Sequence, residues 1–276
     1  MTVTIAAFYK FTEIADLEGL RTPLLDLCRR EGIKGTILLA HEGINATVSG
    51  SADGIETLLA WLRGDARFAD LTAKLSHAGD HPFQRLKVKP KREIVTFGVP
   101  EANPARRVGT YVAPQDWNAL IREPDVVVID TRNSYEVGVG TFEGALDPGT
   151  SAFGEFPEFV KTRLDPATTP KVAMFCTGGI RCEKASAYML AQGFREVYHL
   201  QGGILNYLEK VPPEESLWRG ECFVFDERVA VGHGVEVGTH VMCRSCGHPM
   251  ARTATHAQDD AAAVAACPNC GAAPAD

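Results

Sequence analysis

The sequence predicts a mixed α/β protein. It reads as an N-terminal α+β domain of ferredoxin-like arrangement, then an α/β domain built on a parallel sheet, then a small cysteine-rich C-terminal extension. Three observations carry this. Apolar runs in the first ~98 residues fall in the order β-α-β-β-α-β. Residues 114–212 alternate helix and strand, as parallel-sheet domains do. Four of the eight cysteines fall after residue 240. A length of 276 residues suits about two domains of ~150 residues each.

In the first domain, residues 1–98, Val3–Tyr9 reads as a strand. Leu17–Glu31 follows with Leu20, Leu24, Leu27 and Cys28 on one helical face, and Gly32 ends it. Lys34–Leu39 and Asn45–Ser49 are strands around the turn His41-Glu42-Gly43. Ser51 or Asp53 can cap a helix through Leu58, Leu59 and Leu62. Gln84–Lys89 and Ile94–Phe97 close the domain as extended runs. Residues 99–113 hold two prolines and little periodicity, and read as a linker. In the second domain, 114–212, Pro114–Ile121 starts a helix, Val126–Ile129 is a buried parallel-type strand, and Val172–Phe175 and Val197–Leu200 are two more. The extension, 213–276, opens with strand-like Cys222–Asp226.

The chemistry concentrates between Val172–Phe175 and a helical segment from Glu183. There lies Cys176-Thr177-Gly178-Gly179-Ile180-Arg181-Cys182. A strand–loop–helix with two glycines can turn successive amides inward as an anion-binding nest, and the next helix adds its positive end. A thiol placed there is expected to be activated as a nucleophile. Arg181 is expected to support the loop, and Cys182 is a candidate resolving thiol. Asp130, like Cys176, stands at the carboxyl end of a strand, where open parallel sheets place their sites.

Composition bounds the function. The net charge of −7 argues against a chain coated in basic charge. Residues 81–107 nevertheless hold seven Lys/Arg and two Glu, a local +5 that leaves −12 elsewhere. Within this stretch Arg85, Lys87 and Lys89 alternate with apolar residues and share one strand face, followed by Lys91 and Arg92. Such a stripe can track phosphates, or guard an edge strand against aggregation. The N-terminus lacks the features of a signal peptide, and no run of ~18 apolar residues occurs, so no membrane span is expected. Uneven cysteine usage fits a reducing, cytoplasmic compartment. Cys243-x-x-Cys246 and Cys267-x-x-Cys270 are spaced for structural zinc, while His240, His248 and His256 could substitute as ligands but read rather as surface residues. Trp61, Trp117 and Trp218 read as core. No flavin, haem or nicotinamide motif is visible.

Asp130-x-Arg132, Cys176-x-Gly-Gly-x-Arg181 and Gln201-Gly-Gly203 together resemble a rhodanese domain. The loop from Cys176 through Arg181 looks like the sulfurtransferase type. Further segments, namely Gly35–Asn45, Arg85–Lys89, Glu93–Phe97, Val128–Asn133 with Tyr135-Glu136, Cys176–Lys184 and Cys222–Asp226, resemble in the same order the oxygen-dependent tRNA uridine-34 hydroxylase family. The resemblance runs from about residue 3 to 246. Ala46 departs from the family's glycine, and Pro90 interrupts the basic strand. The resemblance implies an acylphosphatase-like variant of the ferredoxin-like domain, followed by a rhodanese domain. It implies 5-hydroxylation of wobble uridine with dioxygen as co-substrate and the tRNA anticodon arm as partner. Cys176 would be the essential thiol and Asp130 and Arg132 a brace for its loop. Arg85, Lys87, Lys89, Lys91 and Arg92 would hold RNA. Two other readings stay open: a sulfurtransferase carrying a persulfide on Cys176, and a non-catalytic RNA-binding scaffold.

Overall fold

A computed structural model of the chain describes residues 2–169, 171–251 and 267–271. They form two compact units: Met1–Gly109 together with Ile180–Gly193, and Thr110–Gly179 together with Phe194–Asp276.

The first unit contains β1 (Val3–Phe11), α1 (Leu17–Arg30), β2 (Lys34–Ala40), β3 (Gly43–Gly50), α2 (Ala52–Arg63), β4 (Ala73–Ala78) and β5 (Leu86–Pro90). The sheet order is β4-β1-β3-β2-β5. Its first four strands give the ferredoxin-like order expected from the sequence. The helices start where side chains can satisfy free amides: Asp16 accepts from Gly19 N at 2.8 Å, and Ser51 from Gly54 N at 3.0 Å. Leu20, Leu24, Leu27 and Cys28 of α1 join Ile55, Leu58, Leu59 and Leu62 of α2. Both sets pack on alternate residues of the sheet, Ala6, Phe8, Ile37, Ile44, Ala46, Val48 and Val88. Each buried leucine contributes about 1.5–3 kcal/mol. Ala46 is buried on this face, paired with Phe8 and Ile37, so its methyl group fills core space.

One expectation changes. The strand that completes the order is Ala73–Ala78, antiparallel to β1 from Val3↔Ala78 to Phe8↔Ala73. The basic run Leu86–Pro90 is a fifth strand, parallel to β2 at the opposite edge, and Ile94–Phe97 forms no strand. The segment Ala73-Lys-Leu-Ser-His-Ala78 has weak β-formers, and its leucine is 45% exposed. Its hydrogen-bonded neighbour β1, rather than its own pattern, makes it a strand.

The helix α6 (Ile180–Ala191) belongs to this first unit. It begins three residues before the helical segment expected from Glu183. Tyr9 donates its hydroxyl to Glu183 Oε1 at 2.9 Å. The buried Lys184 ammonium meets Glu42 Oε1 at 2.9 Å, Glu93 Oε1 at 3.3 Å and the Val95 carbonyl at 3.1 Å. The Tyr188 ring stands edge-on to Phe97 at 5.7 Å. A buried ammonium needs such a shell.

The second unit holds β6 (Thr110–Val112), α3 (Pro114–Ile121), β7 (Val126–Asp130), α4 (Ser134–Val137), β8 (Gly140–Phe142), α5 (Phe156–Arg163), β9 (Lys171–Phe175), β10 (Glu196–Leu200) and α7 (Gly203–Lys210). Its main sheet has the order β6-β10-β9-β7, parallel throughout. The stretch read as a linker over 99–113 therefore contributes a strand, Thr110–Val112, too short to show a period. Next come β11 (Trp218–Gly220), which pairs with β8, and the hairpin β12 (Cys222–Phe223) with β13 (Ala230–Val231). The strand expected over Cys222–Asp226 thus stops at Phe223. A last hairpin pairs β14 (His240–Met242) with β15 (Pro249–Ala251).

Candidate active site

Strand β9 is buried at Phe175, and the chain turns at Cys176 into Thr177-Gly178-Gly179 before α6. Gly179 adopts φ +97°, a conformation costly for other residues. Its amide reaches back to Cys176 Sγ at 3.1 Å, so negative charge on that sulfur, or on an atom attached to it, meets a backbone donor. The loop carbonyls face α7: Cys176 O accepts from Ile204 N at 2.9 Å and Thr177 O from Leu205 N at 3.1 Å. This contact explains Gln201-Gly202-Gly203. A Cβ on Gly203 would lie 2.5 Å from Cys176 O, 2.6 Å from Thr177 O and 2.7 Å from Gly179 N.

The end of β7 supports the loop from its other side. Thr131 donates both its amide and its hydroxyl, each at 3.0 Å, to the carbonyl of Phe175, the residue before Cys176. Asp130 takes Arg132 Nε at 2.9 Å, Arg132 Nη2 at 2.6 Å and the Thr141 hydroxyl at 2.8 Å. Arg132 is fully buried, donates also to the Gly140 carbonyl, and lies 5.2 Å from the centre of a Trp218 ring. Burial alone would lower the Arg132 guanidinium, but the Asp130 carboxylate outweighs it and raises it above its usual value. Nearby, burial pushes the Cys222 thiol up to about 12 against the opposing pull of Arg132. Cys222 is therefore a neutral packing thiol at physiological pH.

The residues expected from the sequence are placed as follows. Cys176 is 1% exposed and opens the loop directly after β9. Asp130 and Arg132 form a buried ion pair whose contacts run to Gly140, Thr141 and Trp218, while Thr131 between them touches the strand end before Cys176. Arg181 and Cys182 are buried in the first turn of α6. The sequence reading assigned no role to Thr131, Thr177 or Gly203, although each lies inside a quoted motif. Trp218 stacks on the buried Arg132, a contact with no local pattern. Trp117 and Trp218 are core as expected, whereas Trp61 is 37% exposed. It borders a groove of about 670 Å³ with Asp16, Asp65 and Arg67. That groove belongs to the first unit, and Asp65 and Arg67 already pair with each other.

In β5, Val88 enters the core opposite Ile37, so Lys87 and Lys89 take the other face, opposite Thr36 and Leu38. Arg85, Lys89, Lys91 and Arg92 are exposed and Lys87 half-buried. Among the described residues none of the five forms an ion pair. Pro90 ends this edge strand, a position that needs no amide donor.

The four late cysteines come together. Their sulfurs all lie within 4.8 Å of one another, with Cys243–Cys270 at 3.8 Å and Cys246–Cys267 at 3.7 Å. A tetrahedron with metal–sulfur bonds of ~2.3 Å has edges of about 3.8 Å. Each Cys-x-x-Cys turn ends in a left-handed glycine, Gly247 at φ +70° and Gly271 at φ +67°. Each of these glycines donates its amide to the first cysteine's carbonyl at 2.8 Å. The Asn269 amide and the His248 N–H lower Cys246 to about 6, and the amides of Cys246 and Ser245 lower Cys243. These four residues could hold a metal. His240 is committed to Glu221 at 2.7 Å, and His256 lies outside the described residues.

Residues 3–94 match the UPF0176 acylphosphatase like domain, and residues 113–210 the rhodanese-like domain. Across 89% of its length the chain is 56% identical to a tRNA uridine(34) hydroxylase of Picosynechococcus sp., covering 83% of that protein. It is 59% identical to the one from Albidiferax ferrireducens and 57% to that from Agrobacterium fabrum, covering 78% of each. The chain belongs to the tRNA uridine(34) hydroxylase family. The ordered segments in the sequence pointed to this family and to both of its domains. Cys176 and its supports Thr131 and Gly203 lie within the rhodanese-like match of this hydroxylase, and the β5 stripe within the acylphosphatase like match.

Proposed function

We propose that this enzyme hydroxylates uridine 34 of tRNA at C5, with dioxygen as co-substrate and Cys176 as the essential thiol. The observation that carries the assignment of Cys176 is its seat: Sγ receives the Gly179 amide, while the loop carbonyls are held by the first amides of α7. Uracil is electrophilic at C6. Addition of the Cys176 sulfur there leaves electron density at C5, which takes an oxygen atom. Loss of the C5 proton and expulsion of the sulfur restore the ring and free the thiolate. One oxygen atom of dioxygen enters the base and the other leaves as water, with two electrons and two protons from a reductant. Asp130 and Arg132 act by fixing the end of β7, and Arg181 by supporting the loop. Cys182 is the candidate resolving thiol. Arg85, Lys87, Lys89, Lys91 and Arg92 hold the phosphates of the anticodon arm, a reaction suited to a cytoplasmic enzyme. An unpaired loop base can be turned out of its stack at modest cost.

The test uses tRNA from a strain lacking this gene, complemented with wild type or Cys176→Ser, under heavy dioxygen. Wild type restores 5-hydroxyuridine carrying one heavy oxygen, and Cys176→Ser does not. Unlabelled product, or full activity of the serine variant, refutes the reading. The same amide donor also suits a persulfide on Cys176. That sulfurtransferase reading requires an isolable persulfide and thiocyanate formation with cyanide. A scaffold role requires activity in neither assay.

The four late cysteines are proposed to bind a structural zinc ion. Four thiolates close its coordination, leaving no position for chemistry. Metal analysis of the purified chain should return one zinc per molecule. No zinc, with all four thiols alkylated in the native protein, excludes it.

A further inference from the structure

The most exposed large apolar side chain among the described residues is Phe225, at 60%. Its neighbours make the exposure unusual. Val224 is buried in the core, and the Asp226 side chain is 1% exposed. The turn from Val224 to Val229 is rigidly closed. Val224 N donates to Val229 O at 2.9 Å, and Val229 N to Asp226 O at 3.0 Å. Arg228 grips Asp226 with two side-chain bonds, 2.9 Å and 2.6 Å, plus its own amide at 3.0 Å. Val229 is forced to φ +62°, a left-handed conformation that a β-branched residue adopts only when its surroundings impose it. An apolar ring is thus held in water by a buried ion pair and a strained backbone.

The turn stands beside the thiol loop. The Phe225 ring is edge-on to Phe223 at 5.1 Å, and Phe223 is edge-on to Tyr135 at 5.3 Å. The Phe223 carbonyl faces the hydroxyl of Thr177, the residue after Cys176, at 3.5 Å. The three rings form an aromatic array that includes the exposed Phe225.

We propose that Phe225 is a stacking platform for the base at position 34, a role that rests on the tRNA hydroxylase reading of Cys176. Stacking covers one face of the pyrimidine and leaves the opposite face open to the sulfur, which must approach C6 perpendicular to the ring plane. A ring fixed in advance loses little entropy on binding. It supplies base affinity of a kind the β5 cations, which meet phosphates, cannot.

The test is a binding cycle with an anticodon stem-loop RNA that carries either uridine or an abasic site at position 34. The protein variants are wild type, Phe225→Leu and Phe225→Trp. Wild type should bind the uridine RNA at least about fivefold more tightly than the abasic RNA. Phe225→Leu, apolar but without a π face, should lose that preference, and Phe225→Trp should keep it. Equal preference in wild type and Phe225→Leu overturns the platform, as does independent, additive loss from the two changes. Hydroxylation of full tRNA by the same proteins is measured in parallel. A preference that depends on Phe225 without any hydroxylation keeps the platform and removes the hydroxylase reading. Hydroxylation with unchanged kcat/KM in Phe225→Leu removes the platform alone.

Discussion

Gly203 shows how one missing carbon can position a site. Gly203→Ala would drive a methyl group into two loop carbonyls and an amide, at a residue with φ +66°. We expect at least ~100-fold loss of tRNA hydroxylation with a stability loss of about 1–3 kcal/mol. Near-wild-type kcat in a folded Gly203→Ala protein would contradict the loop geometry. Arg132 makes a second residue-scale case. Arg132→Met leaves the buried Asp130 carboxyl without its fork, which should cost about 3–5 kcal/mol in a urea titration. The cysteines should also differ in reactivity. Burial raises Cys28 and Cys222 to about 12. In the native protein at pH 8, iodoacetamide should leave both unmodified, as read by peptide mass spectrometry. Modification of Cys222 without unfolding would mean that its burial is wrong.

At the scale of elements, the sequence was most legible where one pattern decided the outcome. The α1 stripe from Leu20 to Cys28, the cap at Ser51 and the apolar run Val126–Ile129 each satisfy a local rule. Two strands stayed hidden, Ala73–Ala78 and Thr110–Val112, because partners in the sheet impose them. The site divides in the same way. Cys176 and its glycines announced themselves, whereas Thr131 and Gly203 acquire meaning only when β7 and α7 are brought to the loop. The α6 contacts allow a pH prediction. Burial would raise the Glu93 carboxyl, but the amides of Phe97 and Gly98 and the Lys184 ammonium hold it below its usual value. A depressed folded pKa adds stability above the unfolded value and loses it as pH falls through the folded one. Glu93→Gln should therefore lower stability at pH 7 and flatten its acid dependence over roughly pH 5 to 3. A parallel downward shift at every pH would argue against a charged Glu93.

For the whole molecule, the charge balance puts the basic character into one stretch of an acidic chain. Binding of tRNA should weaken steeply with salt, and charge reversal of Lys87 and Lys89 together should reduce the slope of log Kd against log salt by about 2. Affinity flat in salt, or an unchanged slope, would mean that the stripe guards an edge strand instead.

Lys184 carries a consequence for how such proteins can be recombined. The rhodanese-like match runs through residues 113–210, yet α6 inside it packs with Met1–Gly109. Its ammonium finds its counter-charges on Glu42 and Glu93. The module recognised by sequence is therefore not a transplantable part. Grafted elsewhere, it would carry an orphaned cation on the helix that follows Cys176, so exchange among relatives should move both halves of the gene together or neither.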